Sequence, residues 1–164
     1  MKTTMRLLLA FLLCLPTFAT DTGWCLFQTA ADVTGGDSNS WTNPNNALST
    51  NVDYSYCTIS NAEISNYLTL TNPNFTASPI PSGATIDGIE IRFYRGTSGT
   101  DIRDDDVRIV KAGSRVGTNL GALATEWPTS PANADYGGAS NLWGTTWADT
   151  DFGSTMGVAL QVED

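Results

Sequence analysis

The chain contains no histidine and, beyond its first twenty residues, only one lysine, Lys111. Without histidine it cannot build a Ser-His-Asp triad, a Cys-His pair or a typical histidine-ligated zinc or copper site. After residue 20, no segment keeps apolar residues at helical spacing for three turns, and no apolar run is long enough to span a bilayer as a helix. These absences argue against a helical or membrane-embedded protein. They also lead us to expect that the protein is not an enzyme.

The first nineteen residues have the layout of a secretory signal peptide. Lys2 and Arg6 form a basic start, and an uninterrupted apolar run covers residues 7–15. That run is less than half the length that a transmembrane helix requires. We expect cleavage close to Ala19, a secreted or extracellular product, and a single domain over residues 20–164.

The expected mature chain is strongly acidic. Removing Lys2 and Arg6 leaves six basic residues against seventeen acidic ones, a net charge of −11. Such a surface repels phosphate backbones and anionic lipids, so nucleic acid and membranes are unfavourable partners. Glycans and other surface proteins remain as candidate partners.

Alternation of apolar and polar residues predicts an all-β fold. The segment 85–94 places its apolar residues at 89, 91 and 93 on one face, while the segment 107–111 is apolar on parts of both faces. The segment 155–162 alternates cleanly and is expected to be an amphipathic strand. Turn signals separate these segments every ten to fifteen residues, which is typical of an antiparallel β-sandwich.

Three segments carry a resemblance to a known domain: IPSGATIDGI at 80–89, NLWG at 141–144 followed by Trp147, and GVAL at 157–160. With their surroundings, roughly residues 41–164, they resemble a jelly-roll-like β-sandwich domain that recurs in bacterial extracellular and phage-associated proteins of uncharacterised function. The resemblance implies a cell-surface or virion setting and about one further strand after Asp164. Two alternatives are therefore open: the domain is complete, or it lacks a C-terminal strand and one sheet edge is left open for pairing.

Two cysteines, Cys25 and Cys57, remain after the signal segment. In an oxidising compartment an even pair of cysteines is typical of a disulfide. We therefore expect Cys25 and Cys57 to be bonded to each other, with two free thiols as the alternative.

The densest local charge is the run DIRDDD at residues 101–106. Clustered carboxylates suit Ca²⁺, which takes six to eight oxygen ligands, so Asp104, Asp105 and Asp106 form a candidate calcium site. The Asp-x-Asp-x-Asp-Gly pattern of a calcium loop is absent, and neighbouring arginines partly neutralise the run. The simpler interpretation is a solvated strand entry whose charges protect a sheet edge.

Five tryptophans are many for this length, and exposed aromatic side chains on a β-sandwich can stack on sugar rings. Trp41 lies beside a turn that contains Asn43, Asn45 and Asn46, whose amides could supply hydrogen bonds. These four residues are the best candidate for a carbohydrate site. The alternative is a core or loop-anchoring role for Trp41, because large aromatic side chains mostly fill cores.

Together the patterns favour a secreted, non-catalytic β-sandwich module for adhesion or structural assembly at a cell or virion surface. The alternative is a carbohydrate-binding module of an extracellular protein, which the tryptophan count favours. A small glycosidase needs two carboxylates about 5–10 Å apart, and no spacing in the chain singles out such a pair. Apart from calcium, we expect no cofactor.

Overall fold

The computed structural model describes residues 21–50 and 53–164. The predicted signal peptide, residues 1–19, lies outside the described residues. Within them no helix is long and apolar enough to cross a membrane. The regular elements of these described residues are seven strands and two 3₁₀ turns: β1 Phe27–Val33, a 3₁₀ turn Pro44–Leu48, β2 Tyr67–Pro73, β3 Ile89–Arg95, β4 Arg103–Lys111, β5 Ser114–Val116, β6 Ala132–Gly138, a 3₁₀ turn Asp149–Asp151, and β7 Gly157–Glu163.

The strands form two antiparallel sheets, which confirms the all-β sandwich. The larger sheet has the order β1-β2-β7-β4-β5, and the smaller sheet pairs β3 with β6 alone. A five-plus-two division of strands does not establish a jelly-roll pattern.

Strand β7 is the centre of the larger sheet. Its Leu160 lies opposite Leu68 of β2 on one side and Val107 of β4 on the other. The prediction of an amphipathic strand here is wrong, because every residue from 157 to 162 is buried. Gln161, on the face expected to meet solvent, donates its amide to the carbonyl of Ser65 at 2.7 Å. A loop therefore covers the face that the sequence pattern assigned to water.

Strand β3 behaves as its sequence predicts, although it begins at Ile89 rather than at residue 85. Its side chains alternate strictly between buried and exposed positions, with Ile91 and Phe93 facing inward and Arg92 and Tyr94 facing outward. Such strict alternation marks a strand with one face in the core and the other in water.

The core lies between the two sheets. The strands of the larger sheet contribute half of its apolar side chains. Trp143, fully buried, donates its ring N–H to the carbonyl of Ile89 at 3.0 Å. This bond ties one end of β3 to the loop that follows β6. The buried apolar cluster is Trp41, Leu68, Leu70, Ile89, Ile91, Phe93, Val107, Ile109, Tyr136, Trp143, Met156, Val158, Leu160 and Val162.

Candidate functional site: the open edge of strand β3

A cleft of about 2460 Å³ runs along the edge of β3 that faces away from β6. All seven residues of β3 line it, whereas β6 contributes only Asn133 and Gly138. Its apolar lining includes Leu68 and Leu70 of β2 and Leu160 of β7. The cleft thus occupies the position beside β3 where a further strand of the smaller sheet would lie.

The backbone of β3 leaves a row of hydrogen-bonding groups turned towards this cleft. Ile89 uses its N–H with the carbonyl of Asn141 and its carbonyl with the Trp143 ring, both on the β6 side. In an antiparallel strand the backbone groups of alternate residues point to opposite edges. The N–H and C=O groups of residues 90, 92 and 94 therefore point into the cleft. Among the described residues, no strand pairs with this edge.

The outward face of β3 carries an exposed aromatic row. The guanidinium of Arg92 lies 4.3 Å from the ring centre of Trp24, and the ring of Tyr94 stacks on Tyr54 at 6.4 Å. Arg92 also makes two hydrogen bonds to Asp135 of β6, at 2.5 and 2.7 Å. This bidentate contact raises the pKa of Arg92 and lowers the pKa of Asp135. The aromatic row frames the cleft on its solvent side.

Trp41, the predicted sugar platform, is a core residue. It is only 7% exposed, and its ring N–H donates to the carbonyl of Asn66 at 2.8 Å. The prediction of an exposed stacking surface at Trp41 is therefore wrong. The three asparagines belong to the adjacent 3₁₀ turn: Asn43 precedes it in a left-handed conformation, Asn45 is exposed, and Asn46 donates its side-chain amide to the carbonyl of Tyr54.

Asp104, one of the predicted calcium ligands, is instead the centre of a buried polar cluster. It is fully buried and forms an ion pair with Arg95 at the end of β3. It also accepts hydrogen bonds from the Trp127 ring at 2.8 Å, the Tyr136 hydroxyl at 2.9 Å and the backbone N–H of Ala122 at 2.8 Å. Burial, followed by the Asp104 charge, raises the pKa of Tyr136. This cluster joins the two sheets.

The other two predicted calcium ligands lie elsewhere. A β-bulge interrupts β4 between Asp104 and Asp106, and Asp106 turns to Arg108 at 2.8 Å and to the Tyr67 hydroxyl at 3.1 Å. Asp105 is half-buried, and this burial raises its pKa. In residues 21–50 and 53–164, no three acidic, cysteine or histidine side chains come together in a group that could hold a metal ion.

The predicted disulfide between Cys25 and Cys57 is absent, and both thiols are free. Cys25 precedes β1 at the end where the N–H of Asn74 bonds to the same segment. The Cys57 thiol donates to the carbonyl of Asn39, which also accepts from the N–H of Asn66, just before β2. The two cysteines therefore lie at opposite ends of the β1–β2 ladder, roughly 20 Å apart for seven residues of strand. A disulfide requires Cα atoms within about 7 Å.

Sequence reasoning missed the features that define this site. Trp24 is 58% exposed, but the sequence alone does not distinguish it from the buried tryptophans. The edge of β3 is unpaired because of the order of the strands in the smaller sheet, and a local sequence pattern does not predict that order. Comparisons with protein-family models, with curated proteins and with solved structures gave no match. The site is therefore interpreted from this chain alone.

Proposed function

We propose that this chain is a secreted, non-catalytic β-sandwich module that assembles with other polypeptides at a cell or virion surface. It does so by accepting an extended strand at the open edge of β3. The observation that carries the proposal is that no described strand pairs with the edge of β3 away from β6, where strand alternation places the backbone groups of residues 90, 92 and 94 beside an apolar cleft of about 2460 Å³. The secreted setting rests on the signal-like first nineteen residues.

Strand addition suits this edge energetically. A two-stranded sheet such as β3–β6 is marginal on its own, and an added strand supplies main-chain hydrogen bonds together with apolar contacts. Edge strands that avoid pairing usually carry bulges, prolines or inward-pointing charges. In β3 the middle inward positions, Ile91 and Phe93, are apolar, and its register with β6 runs without a bulge.

The non-catalytic part of the proposal is supported by what the buried polar groups do. Asp104 has four hydrogen-bond donors around it, and Asp106 is held by Arg108 and Tyr67. Neither Asp104 nor Asp106 lines the cleft. Their bonds hold strands together, so these two buried carboxylates are used in structural contacts.

Carbohydrate binding is the second candidate, and the exposed aromatic row now favours a different place for it. Trp24 and Tyr94 are 58% and 59% exposed, so their rings could contact a sugar. However, Arg92 covers one face of Trp24, and Tyr54 stacks on Tyr94. Replacing Trp24 with alanine should abolish glycan-array signals if this candidate is correct, and should leave the folded protein otherwise unchanged.

Two variants at one position test strand acceptance. Glu90→Pro removes an N–H that points into the cleft without removing a bond to β6, whereas Glu90→Ala removes only the side chain. The probe is an end-blocked peptide that matches β3 in length and alternates threonine with valine. We expect Glu90→Pro to weaken its binding by about tenfold or more, the equivalent of a lost hydrogen bond, and Glu90→Ala to have little effect.

Hydrogen exchange of the unmodified protein provides a second measurement that does not depend on a variant. The peptide should slow exchange at the amides of residues 90, 92 and 94, and should leave the amides of β1 unchanged. Equal binding by the proline and alanine variants, or no protection along β3, would overturn strand acceptance.

A further inference from the structure

We infer that the strand accepted at β3 is basic: an extended segment with apolar side chains at alternate positions and lysine or arginine between them. This inference rests on the proposed function and specifies the chemistry of its partner. It follows from two properties of the cleft, its apolar interior and its acidic rim.

The apolar interior of the cleft explains why alternate side chains of the accepted strand should be apolar. Side chains of an added strand alternate between the two faces of the sheet, so every second one enters the space above β2 and β7. There it meets Leu68, Leu70, Met156 and Leu160. The volume of about 2460 Å³ exceeds the 300–1,000 Å³ of usual small-molecule pockets. A row of side chains from a polypeptide therefore fits better than a compact ligand.

The rim of the cleft fixes the charge of the other half. Among the described side chains that line it, the exposed acidic ones outnumber the exposed basic ones by five to one. Arg92, the one exposed cation in this described lining, is already held by Asp135 in a bidentate contact. Arg95 also lines the cleft, but it is buried and bonded to Asp104. The five exposed carboxylates are Asp21, Asp53, Asp87, Glu90 and Asp101.

Glu90 lies closest to the incoming backbone because it belongs to β3 itself. Its side chain is exposed on the outward face of the strand, and among the described residues it takes part in no ion pair. A residue directly opposite it on an added strand would have its Cβ about 4.5–5.5 Å away. Opposite charges at that separation are favourable and like charges are unfavourable.

A second copy of this chain is a poorer occupant. Pairing β3 with β3 of another copy brings two acidic rims together, and each mature chain carries a net charge of −11 from six basic and seventeen acidic residues. Such like-charge contact opposes association, particularly at low ionic strength.

Three peptides of equal length test the inference on the full chain. One alternates valine with lysine, one valine with glutamate, and one valine with threonine as the neutral reference. We expect the lysine peptide to bind about tenfold more tightly than the neutral one at low salt, with the difference shrinking at high salt. Glu90→Lys should weaken lysine-peptide binding, whereas Glu126→Lys makes the same charge change at an exposed residue outside the cleft and should affect it much less.

Each outcome decides a different point. Equal affinity for all three peptides, with β3 amides protected, would leave strand acceptance standing and overturn the basic partner. Binding by none, without protection, would overturn both. Concentration-dependent dimerisation with protection of β3 would show that a second copy is the occupant and would also overturn the basic partner. If the lysine peptide binds preferentially but Glu90→Lys and Glu126→Lys reduce its binding equally, the preference comes from general charge attraction. That result would overturn the site.

Discussion

Replacing Asp104 with asparagine removes the negative charge at the centre of the buried cluster. Arg95, only 9% exposed, then keeps its positive charge without a counter-ion. The new amide nitrogen also replaces one of the two carboxylate oxygens and cannot accept, so either the Trp127 ring or the pair formed by the Tyr136 hydroxyl and the backbone N–H of Ala122 loses its acceptor. Removing one partner of a buried ion pair costs about 3–5 kcal/mol. Because a carbonyl oxygen remains, we expect a loss of about 3 kcal/mol.

Urea unfolding followed by circular dichroism measures this loss. For a chain of this size, about 3 kcal/mol corresponds to a fall of roughly 6–12 °C in the melting midpoint. Asp135→Asn is the matched control, since it breaks the Arg92 ion pair, whose side chains are 38% and 40% exposed and therefore well screened. If Asp104→Asn were no more destabilising than this control, the cluster would not hold the sheets together and the reasoning would be refuted.

A double variant separates the effect of the unpaired buried charge from the effect of the changed side-chain volume. The Nε atom of Arg95 is buried and has no hydrogen-bond partner, so the ion pair is incompletely satisfied. Apolar residues can replace buried ion pairs at little cost. Asp104→Leu combined with Arg95→Met should therefore be more stable than Asp104→Leu alone. A double variant less stable than that single variant would show that the cost does not come from an unpaired buried charge.

Three further predictions follow from burial and pKa shifts. Trp41→Ala should cost about 3–5 kcal/mol of unfolding free energy, whereas Trp24→Ala should leave the thermal midpoint nearly unchanged; equal effects would contradict the assignment of core and surface. Arg92 lowers the pKa of Asp135, so the wild type should be more stable than Asp135→Asn above the ordinary pKa of 3.8, and this difference in stability should vanish as the pH falls through the lowered pKa. Urea midpoints measured across acid pH test this sign. Burial raises the pKa of Cys57 from 9.0 to about 11, so alkylation near neutral pH should be slow; rapid labelling of Cys57 in the folded protein would contradict it.

The strands that the sequence predicts best are those whose two faces have different surroundings. In β3, one face meets the core and the other meets water, so alternation in sequence becomes alternation in burial. In β7 the alternation is equally clear, but the strand lies between β2 and β4 and a loop covers its second face. The pattern identified a strand in both cases and could not report what lay beyond each face.

Strands β1 and β6 escape prediction because their residues have weak β propensity. Strand β1 contains Ala30, Ala31 and Asp32, and β6 consists of Ala132–Gly138 with the sequence ANADYGG. Alanine, asparagine, aspartate and glycine are depleted in strands, so pairing with a stronger neighbour decides their conformation. That neighbour is β2 for β1 and β3 for β6.

The candidate site depends on residues that are distant in sequence and close in space, and amino-acid composition carries no information about such contacts. The cysteine count suggested a disulfide, but Cys25 and Cys57 lie at opposite ends of a ladder. The acidic run suggested a calcium site, but a bulge in β4 sends Asp104 and Asp106 to different arginines. The cysteines and aspartates are chemically suited to a disulfide and a calcium site, but the fold places them where they make other contacts.

The two ends of β3 are held by contacts that bear on the proposed strand addition. At Ile89 the strand is held by the Trp143 ring, and at Arg95 it is held by the buried carboxylate of Asp104 on the opposite sheet. Between these anchors, β6 pairs with all seven residues along one edge only. If β3 accepts a strand as proposed, these contacts hold its free edge in place beforehand and lower the ordering cost of strand addition. Replacing Asp104 should for that reason weaken peptide binding at β3 although Asp104 itself does not line the cleft, and this coupling would join the stability of the fold to its proposed function.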